Sequence, residues 1–222
     1  MNGLLIINKP LTWTSMDVIR KLRRITGIQK IGHAGTLDPL ATGVLLVCLG
    51  KATKKIEALM ATTKKYTATI NLSAFSSTDD AEGELSPIAI EQPPNQETIV
   101  ATLEQFIGTY EQTPPIYSAI KIGGKAAYRW AREGKSVPIA SRLVTIDSIH
   151  LVAYSFPELT IEIVCGKGTY IRSLARDIGK ALKTGGYLTG LIRTQVGPYT
   201  LEQALAIEHL ENLTESALIP LE

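Results

Sequence analysis

No regular strand-helix-strand period runs through this chain. Short apolar runs and helical periodicities follow one another at uneven spacing, which argues against the repeated βαβ unit of a doubly wound or barrel fold. Leu4 to Ile7 is a short apolar strand that stops at Lys9-Pro10. Val18, Leu22 and Ile25 then recur at helical spacing after Thr14 or Ser15, either of which can cap the helix, and Gly27 ends it. Val44 to Leu49 reads as a buried strand and Lys54 to Met60 as a short helix. Tyr66 to Leu72 alternates as a strand, with Tyr66, Ala68, Ile70 and Leu72 on one side. Beyond an acidic loop at Ser76 to Glu84 and a proline-bearing connection, a helix is predicted over Glu97 to Ile107. Val144 to Ala153 and Leu159 to Cys165 read as paired strands, and Gly166-Lys-Gly-Thr169 turns into a helix over Tyr170 to Leu182. The expected class is therefore α+β, a mixed and largely antiparallel sheet with flanking helices.

Charge is distributed more informatively than its total of +2 conveys. Residues 1 to 66 hold 11 Lys and Arg against 3 Asp and Glu, residues 67 to 111 hold none against 8, and residues 112 to 222 hold 12 against 10. A basic first third can neutralise phosphates by releasing their counterions, although solvated helix faces explain the same charges. Arg20, Arg23 and Arg24 lie on the helix that follows Lys9 and are the first candidates. No apolar run approaches the roughly 18 residues of a membrane span, and Met1 to Ile7 lacks the pattern of a secretory signal, so a cytoplasmic protein is expected. Cys48 and Cys165 sit far apart in apolar sequence, which fits reduced core packing. Neither a dinucleotide fingerprint nor a P-loop is present.

The chemistry concentrates in Gly32-His-Ala-Gly-Thr-Leu-Asp-Pro-Leu-Ala-Thr-Gly43, a glycine-rich loop leading into the buried strand. Asp38 is fixed by Pro39 and can act as nucleophile or base if a nearby cation keeps it ionised. Arg172, after a glycine-rich turn, offers a guanidinium for that purpose, while an Asp-Pro turn and an ordinary structural ion pair explain the same residues. His33 can serve as a base, a metal ligand or a stacking plate, and no other His or Cys stands at metal-ligand spacing. Tyr66 and Tyr170 can stack on a nucleobase or belong to the core. Ser118-Ala-Ile-Lys121 and Lys183-Thr-Gly185 match two elements of penicillin-binding enzymes, but the middle Ser-Asp-Asn element is missing. A protein that binds RNA without chemistry would use the same basic surface.

Taken in order, the Gly32 to Gly43 motif, Lys65-Tyr66, Thr113-Pro-Pro-Ile-Tyr-Ser-Ala-Ile-Lys121 and Gly168-Thr-Tyr-Ile-Arg172-Ser-Leu closely resemble the TruB-type tRNA pseudouridine-55 synthase family, from Lys9-Pro10 to about Arg193. The resemblance implies a pseudouridine-synthase fold with a catalytic cleft, and isomerisation of uridine 55 in the tRNA T loop without a cofactor or metal. It implies Asp38 as the catalytic aspartate, Arg172 as its partner, and Tyr66 stacked on the base as a proton acceptor. His33 would help splay the T loop, and Tyr170 and Leu191 would line the uridine pocket. Lys9, Lys121, Arg129 and Arg132 would contact RNA, the last three within a closing thumb around residues 113 to 140.

The chain departs from the family pattern at Thr12, where Gly is usual, and at Ile192-Arg193, where paired arginines are usual. Residues 1 to 199 are expected to form the catalytic domain. Residues 200 to 222 read as a short extension, too short for the PUA-type domain of many bacterial members. The tRNA T arm is the expected partner, and no coiled-coil repeat signals an oligomer, so a monomer is expected.

Overall fold

The computed structural model describes residues 1–118, 120–127, 130, 133 and 138–221. It divides into two compact units: residues 1–67 with 190–222, and residues 68–189. Both are α+β. Strand Gly3–Lys9 pairs in parallel with Leu205–Ala206, and Ala41–Leu49 with Tyr187–Val196, whereas Gly3–Lys9 with Ala41–Leu49, and Arg142–Ser155 with Glu158–Cys165 and with Gly108–Gln112, pair antiparallel.

The first unit contains β1 (Gly3–Lys9), α1 (Ser15–Thr26), β2 (Ile31–His33), β3 (Ala41–Leu49) and α2 (Ile56–Ala61). It also holds the start of β4 (Lys64–Asn71). Strand order β14 (Leu205–Ala206), β1, β3, β12 (Tyr187–Val196) makes its sheet, and β2 pairs with β3. Alternation explains which faces are buried: Leu4, Ile6, Val44, Leu46 and Cys48 share one apolar cluster with Leu59 and Val196. Burial drives the Cys48 thiol pKa up to about 11, leaving a protonated core residue.

Helix α1 starts at a capping box, in which the Thr14 side chain accepts from the Asp17 amide while the Asp17 carboxylate accepts from the Thr14 amide. It stops at Gly27, whose φ of 71° suits a residue without Cβ. Val18, Ile19 and Leu22 are its buried stripe. Each is worth about 1.5–3 kcal/mol of burial, far more than the helix propensity of twelve residues decides.

The second unit continues β4 and adds β5 (Ala74–Ser76), β6 (Leu85–Pro87), α3 (Gln96–Glu104), β7 (Gly108–Gln112), β8 (Lys121–Ile122) and β9 (Lys125–Ala126). β10 (Arg142–Ser155), β11 (Glu158–Cys165) and α4 (Ile171–Leu182) follow. β4, β11, β10 and β7 are neighbours in that order, and α3 packs on β10 and α4. β12 (Tyr187–Val196) returns the chain to the first unit, where β13 (Tyr199–Thr200) and β14 (Leu205–Ala206) complete it. No described helix is long and apolar enough to cross a membrane.

Several expectations are revised. The helix predicted to run to Ile107 ends at Glu104, because Gly108 takes a φ of 100° and the chain turns into β7. The acidic loop is bracketed by the β5–β6 hairpin. In the segment read as a short extension, β14 lies beside β1, and Ile219 bridges Leu4 through bonds of 2.8 and 2.9 Å.

Candidate active site

In the first unit, the segment carrying Asp38 is held by hydrogen bonds from α1, β3 and β12. Ala34 donates to the Leu46 carbonyl at 2.8 Å, and the Ala41 amide donates to the Asp38 carbonyl at 3.0 Å. Ser15, buried at the start of α1, accepts from the Leu37 amide at 2.9 Å and donates to the Leu37 carbonyl at 3.1 Å. The Thr12 amide donates to the Pro39 carbonyl at 2.9 Å. From β12, Arg193 donates through Nε to Val44 O at 2.7 Å and through Nη2 to Gly35 O at 3.1 Å. Gly43 lets β3 come this close to β12: its φ is 98°, and a Cβ there would lie 2.3 Å from the Arg193 carbonyl oxygen. The result is a rigid backbone presenting a partly exposed carboxylate.

Two buried cations sit in the same neighbourhood. Arg193 is 1 % exposed and Lys9 0 %. The Lys9 ammonium donates to the carbonyls of Pro10 and Trp13. Loss of hydration brings the Lys9 pKa down to about 8, the Asp38 carboxylate opposes that fall, and Arg193 adds to it. Folded Lys9 therefore binds its proton more weakly than the unfolded chain, whose value is near 10.5. The sign follows: the cost of holding a buried ammonium is fully present below about pH 8 and is relieved as pH rises from there towards 10.5. Urea unfolding of the wild type and of Lys9→Met, compared from pH 7 to pH 10, should show the wild type gaining stability relative to the variant above pH 8. A difference independent of pH would refute the assignment.

His33 ends β2, half-buried, with its Nδ1 shielded and without a hydrogen-bond partner. Burial lowers its pKa and the Arg193 charge lowers it further, so the ring is neutral at pH 7. Tyr66 on β4 and Leu191 on β12 are each buried to 9 % exposure, and Leu191 lies in register with Ala41 just after the Asp38 turn.

In the second unit, α4 presents Arg172 and Arg176 one turn apart. Arg172 is buried, with Nη1 3.3 Å from Asp80 Oδ2 and donating to Thr78 O at 3.1 Å, and with Nη2 donating to Tyr117 O at 2.9 Å. Arg176 pairs with Asp79 at 2.7 Å and donates to Thr113 O at 2.8 Å. One helix thus holds both the acidic loop and the start of the 113 to 118 segment. Burial raises the Asp79 carboxyl pKa, and the two guanidinium groups oppose that rise. Tyr170, at the N-cap of α4, has its backbone gripped by Gln112, which accepts from the Tyr170 amide at 2.8 Å and donates to its carbonyl at 3.1 Å. The Arg142 guanidinium lies 4.8 Å from the Tyr170 ring centroid and donates to the Gly168 carbonyl. Among the described residues, no three His, Cys, Asp or Glu side chains converge as metal ligands.

Residues 23–171 match the model of the TruB family pseudouridylate synthase N-terminal domain, and residues 172–219 match that of the tRNA pseudouridylate synthase B C-terminal domain. The chain belongs to the TruB family. A TruB relative from Phocaeicola vulgatus, named tRNA pseudouridine synthase B, is 49% identical over 210 residues, covering 92% of this chain and 89% of its own. One of the same name from Parabacteroides distasonis is 44% identical over 225 residues, covering 99% and 96%. Among solved structures, a Cbf5-Nop10-Gar1 complex matches with a TM-score of 0.75 and 28% identity over 95% of this chain. An H/ACA RNP bound to a substrate RNA containing 2'-deoxyuridine matches with 0.71 and 26%. The chain spans about half the length of those two structures, 54% and 52%.

Against the TruB expectations, the first unit contains Lys9, His33, Asp38, Tyr66 and Leu191, and the second contains Tyr170 and Arg172. Within its own unit, Arg172 pairs with Asp80. Lys9, expected on the RNA, is enclosed and serves the loop backbone instead. Arg23 turns inward, 3.5 Å from the Ile31 carbonyl, whereas Arg20 and Arg24 are exposed. Lys121 falls in β8, with its side chain outside the described part, and Arg129 and Arg132 lie outside the described residues. Sequence reasoning missed Asp80, Gln112, Arg142 and the inward role of Arg193. Only the spacing of Arg172 and Arg176, opposite an adjacent pair of aspartates, carried a usable signal.

Thr12, one of the departures from the pattern noted in the sequence, adopts a φ of 68°. A β-branched residue there bears roughly 1–2 kcal/mol of steric cost, which Gly relieves at the expense of some unfolded-state entropy. Thr12→Gly is expected to raise the melting temperature by about 2 °C, measured calorimetrically. An unchanged or lower value would mean that the turn is unstrained.

Proposed function

We propose that this chain converts uridine 55 of the tRNA T loop to pseudouridine, with Asp38 as the catalytic carboxylate. The reading rests on one observation above all: the TruB motif from Gly32 to Gly43 is held by Ser15, Thr12 and Arg193 so that a partly exposed carboxylate is fixed before substrate arrives. A group positioned in advance spends no binding energy on its own ordering during the reaction. Substrate and product are isomers. The bond from N1 to C1′ breaks, the uracil turns, C5 bonds to C1′, the C5 proton leaves and N1 takes up a proton, so atoms balance with no external donor.

Flipping the uridine out of its loop costs a few kcal/mol, offset by stacking and phosphate contacts. In this reading Tyr66 stacks on the base and accepts a proton, Tyr170 and Leu191 line the uridine pocket, and neutral His33 occupies space that extruded T-loop bases vacate. Arg172 pairs with Asp38, an assignment supported by the family motif. Arg20, Arg24, Lys121, Arg129 and Arg132 supply cationic contacts to RNA, and the protein works as a cytoplasmic monomer. The test is direct: purified protein incubated with an unmodified tRNA transcript, and separately with a T-arm hairpin, should yield pseudouridine at position 55, mapped by carbodiimide treatment and primer extension. RNA that is bound but unmodified in both cases would leave a binding protein and reject the enzyme.

A further inference from the structure

Helix α1 buries Val18, Ile19 and Leu22 and turns a different stripe outward. Trp13, Asp17, Arg20, Lys21 and Arg24 recur every three to four residues and, with Thr12, line an open groove of about 640 Å³. The twelve residues of α1 make this stripe about 18 Å long. Three cations face one carboxylate. That carboxylate, Asp17, is engaged by the Thr14 cap and by Arg20, bonds that bring its pKa down to about 2 and keep it ionised. Lys21 reaches Glu211 at 3.5 Å, and Arg24 is exposed with no partner among the described residues. The Arg20–Asp17 pair is solvent-exposed on its arginine side, and exposed pairs of this kind are weak and readily exchanged for phosphate.

The near end of the groove joins the Asp38 loop. The Trp13 carbonyl accepts from the Lys9 ammonium, and the Thr12 amide donates to the Pro39 carbonyl. The Trp13 indole is half-buried, its backbone held by these contacts while its side chain lines the groove. Guanidinium groups suit phosphates, and an aromatic face suits an unpaired base; paired bases have no free face to offer it.

We propose that this groove takes a single-stranded stretch of the substrate RNA, its phosphates on Arg20, Lys21 and Arg24 and one unpaired base stacked on Trp13. The inference rests on the RNA-modifying reading above and extends the contact along α1, away from the reacting uridine.

The test compares wild type with Arg20→Gln/Arg24→Gln, Trp13→Leu and Trp13→Phe, using full-length tRNA and the isolated T-arm hairpin. In the arginine double variant the slope of log affinity against log salt should shrink by about 1.4, at about 0.7 for each single-strand phosphate no longer neutralised. The cost should fall on KM rather than on kcat. Trp13→Leu should weaken binding at least about fivefold with little change in salt slope, and Trp13→Phe should keep most of the affinity. Effects on full-length tRNA alone place the stretch outside the T arm, and effects on both RNAs place it within; either supports the groove. The proposal is overturned if affinity and salt slope match wild type on both RNAs in variants of unchanged melting temperature. It is equally overturned if Lys54→Gln/Lys55→Gln costs as much, since diffuse charge would then explain the binding. Wild-type protein that binds tRNA but forms no pseudouridine would count against the enzyme reading alone, because the groove is read through binding.

Discussion

Asp38→Asn should bind tRNA within about twofold of wild type while pseudouridine formation falls by at least about 10⁴-fold, the scale seen when a group that acts covalently or as an obligatory base is removed. Asparagine keeps the shape and the Asp-Pro turn, so the Ala41 amide and the Ser15 clamp on Leu37 have no reason to move. Only charge and proton affinity change. The measurement is single-turnover tritium release from C5-labelled RNA alongside a binding titration. Turnover within tenfold of wild type would remove Asp38 from the chemistry, and loss of binding in parallel would give it a structural task instead.

Arg193→Met should be the most destabilising of the single changes considered, by about 3 kcal/mol, because it removes the guanidinium donor to the buried Val44 carbonyl and the half-buried Gly35 carbonyl. In a chain of this size that corresponds to a fall of roughly 6–12 °C in melting temperature. Arg193→Lys should recover less than half, since one ammonium cannot reproduce the planar fork that reaches both carbonyls. The loop that Arg193 holds carries Asp38, so kcat should drop by about 10² even where the variant is fully folded. A further readout separates positioning from general instability. The Arg193 charge lowers the His33 pKa, so its removal should raise the His33 titration midpoint by NMR. A stable variant with an unmoved histidine would contradict the arrangement described.

What the sequence disclosed and what it hid follow from the range of the interactions involved. The cap at Thr14, the stop at Gly27, the apolar run before Leu49 and the alternation beginning at Tyr66 are local patterns, each readable within a dozen residues. β12 was not anticipated. Its sequence mixes Thr189, Gly190 and Arg193 among apolar positions and becomes a strand by pairing in parallel with β3, far away in the chain. Lys9 and Arg193 look like surface residues on composition alone, and only the convergence of backbone carbonyls makes their burial tolerable. The Asp38 motif was legible because its glycines, proline and acid are contiguous. The Asp80 partner of Arg172 left only a weak trace, two arginines one helical turn apart and two adjacent aspartates, because the two pairs lie far apart in the chain.

The bond from Arg193 to Gly35 joins residues 158 positions apart. During synthesis, a ribosome-tethered chain halted before β12 would already carry every residue of the Asp38 motif and still lack the side chain that sets its geometry. Such a nascent fragment should be inert towards RNA chemistry, so the enzyme acquires its competence only once β12 has been made and has paired with β3.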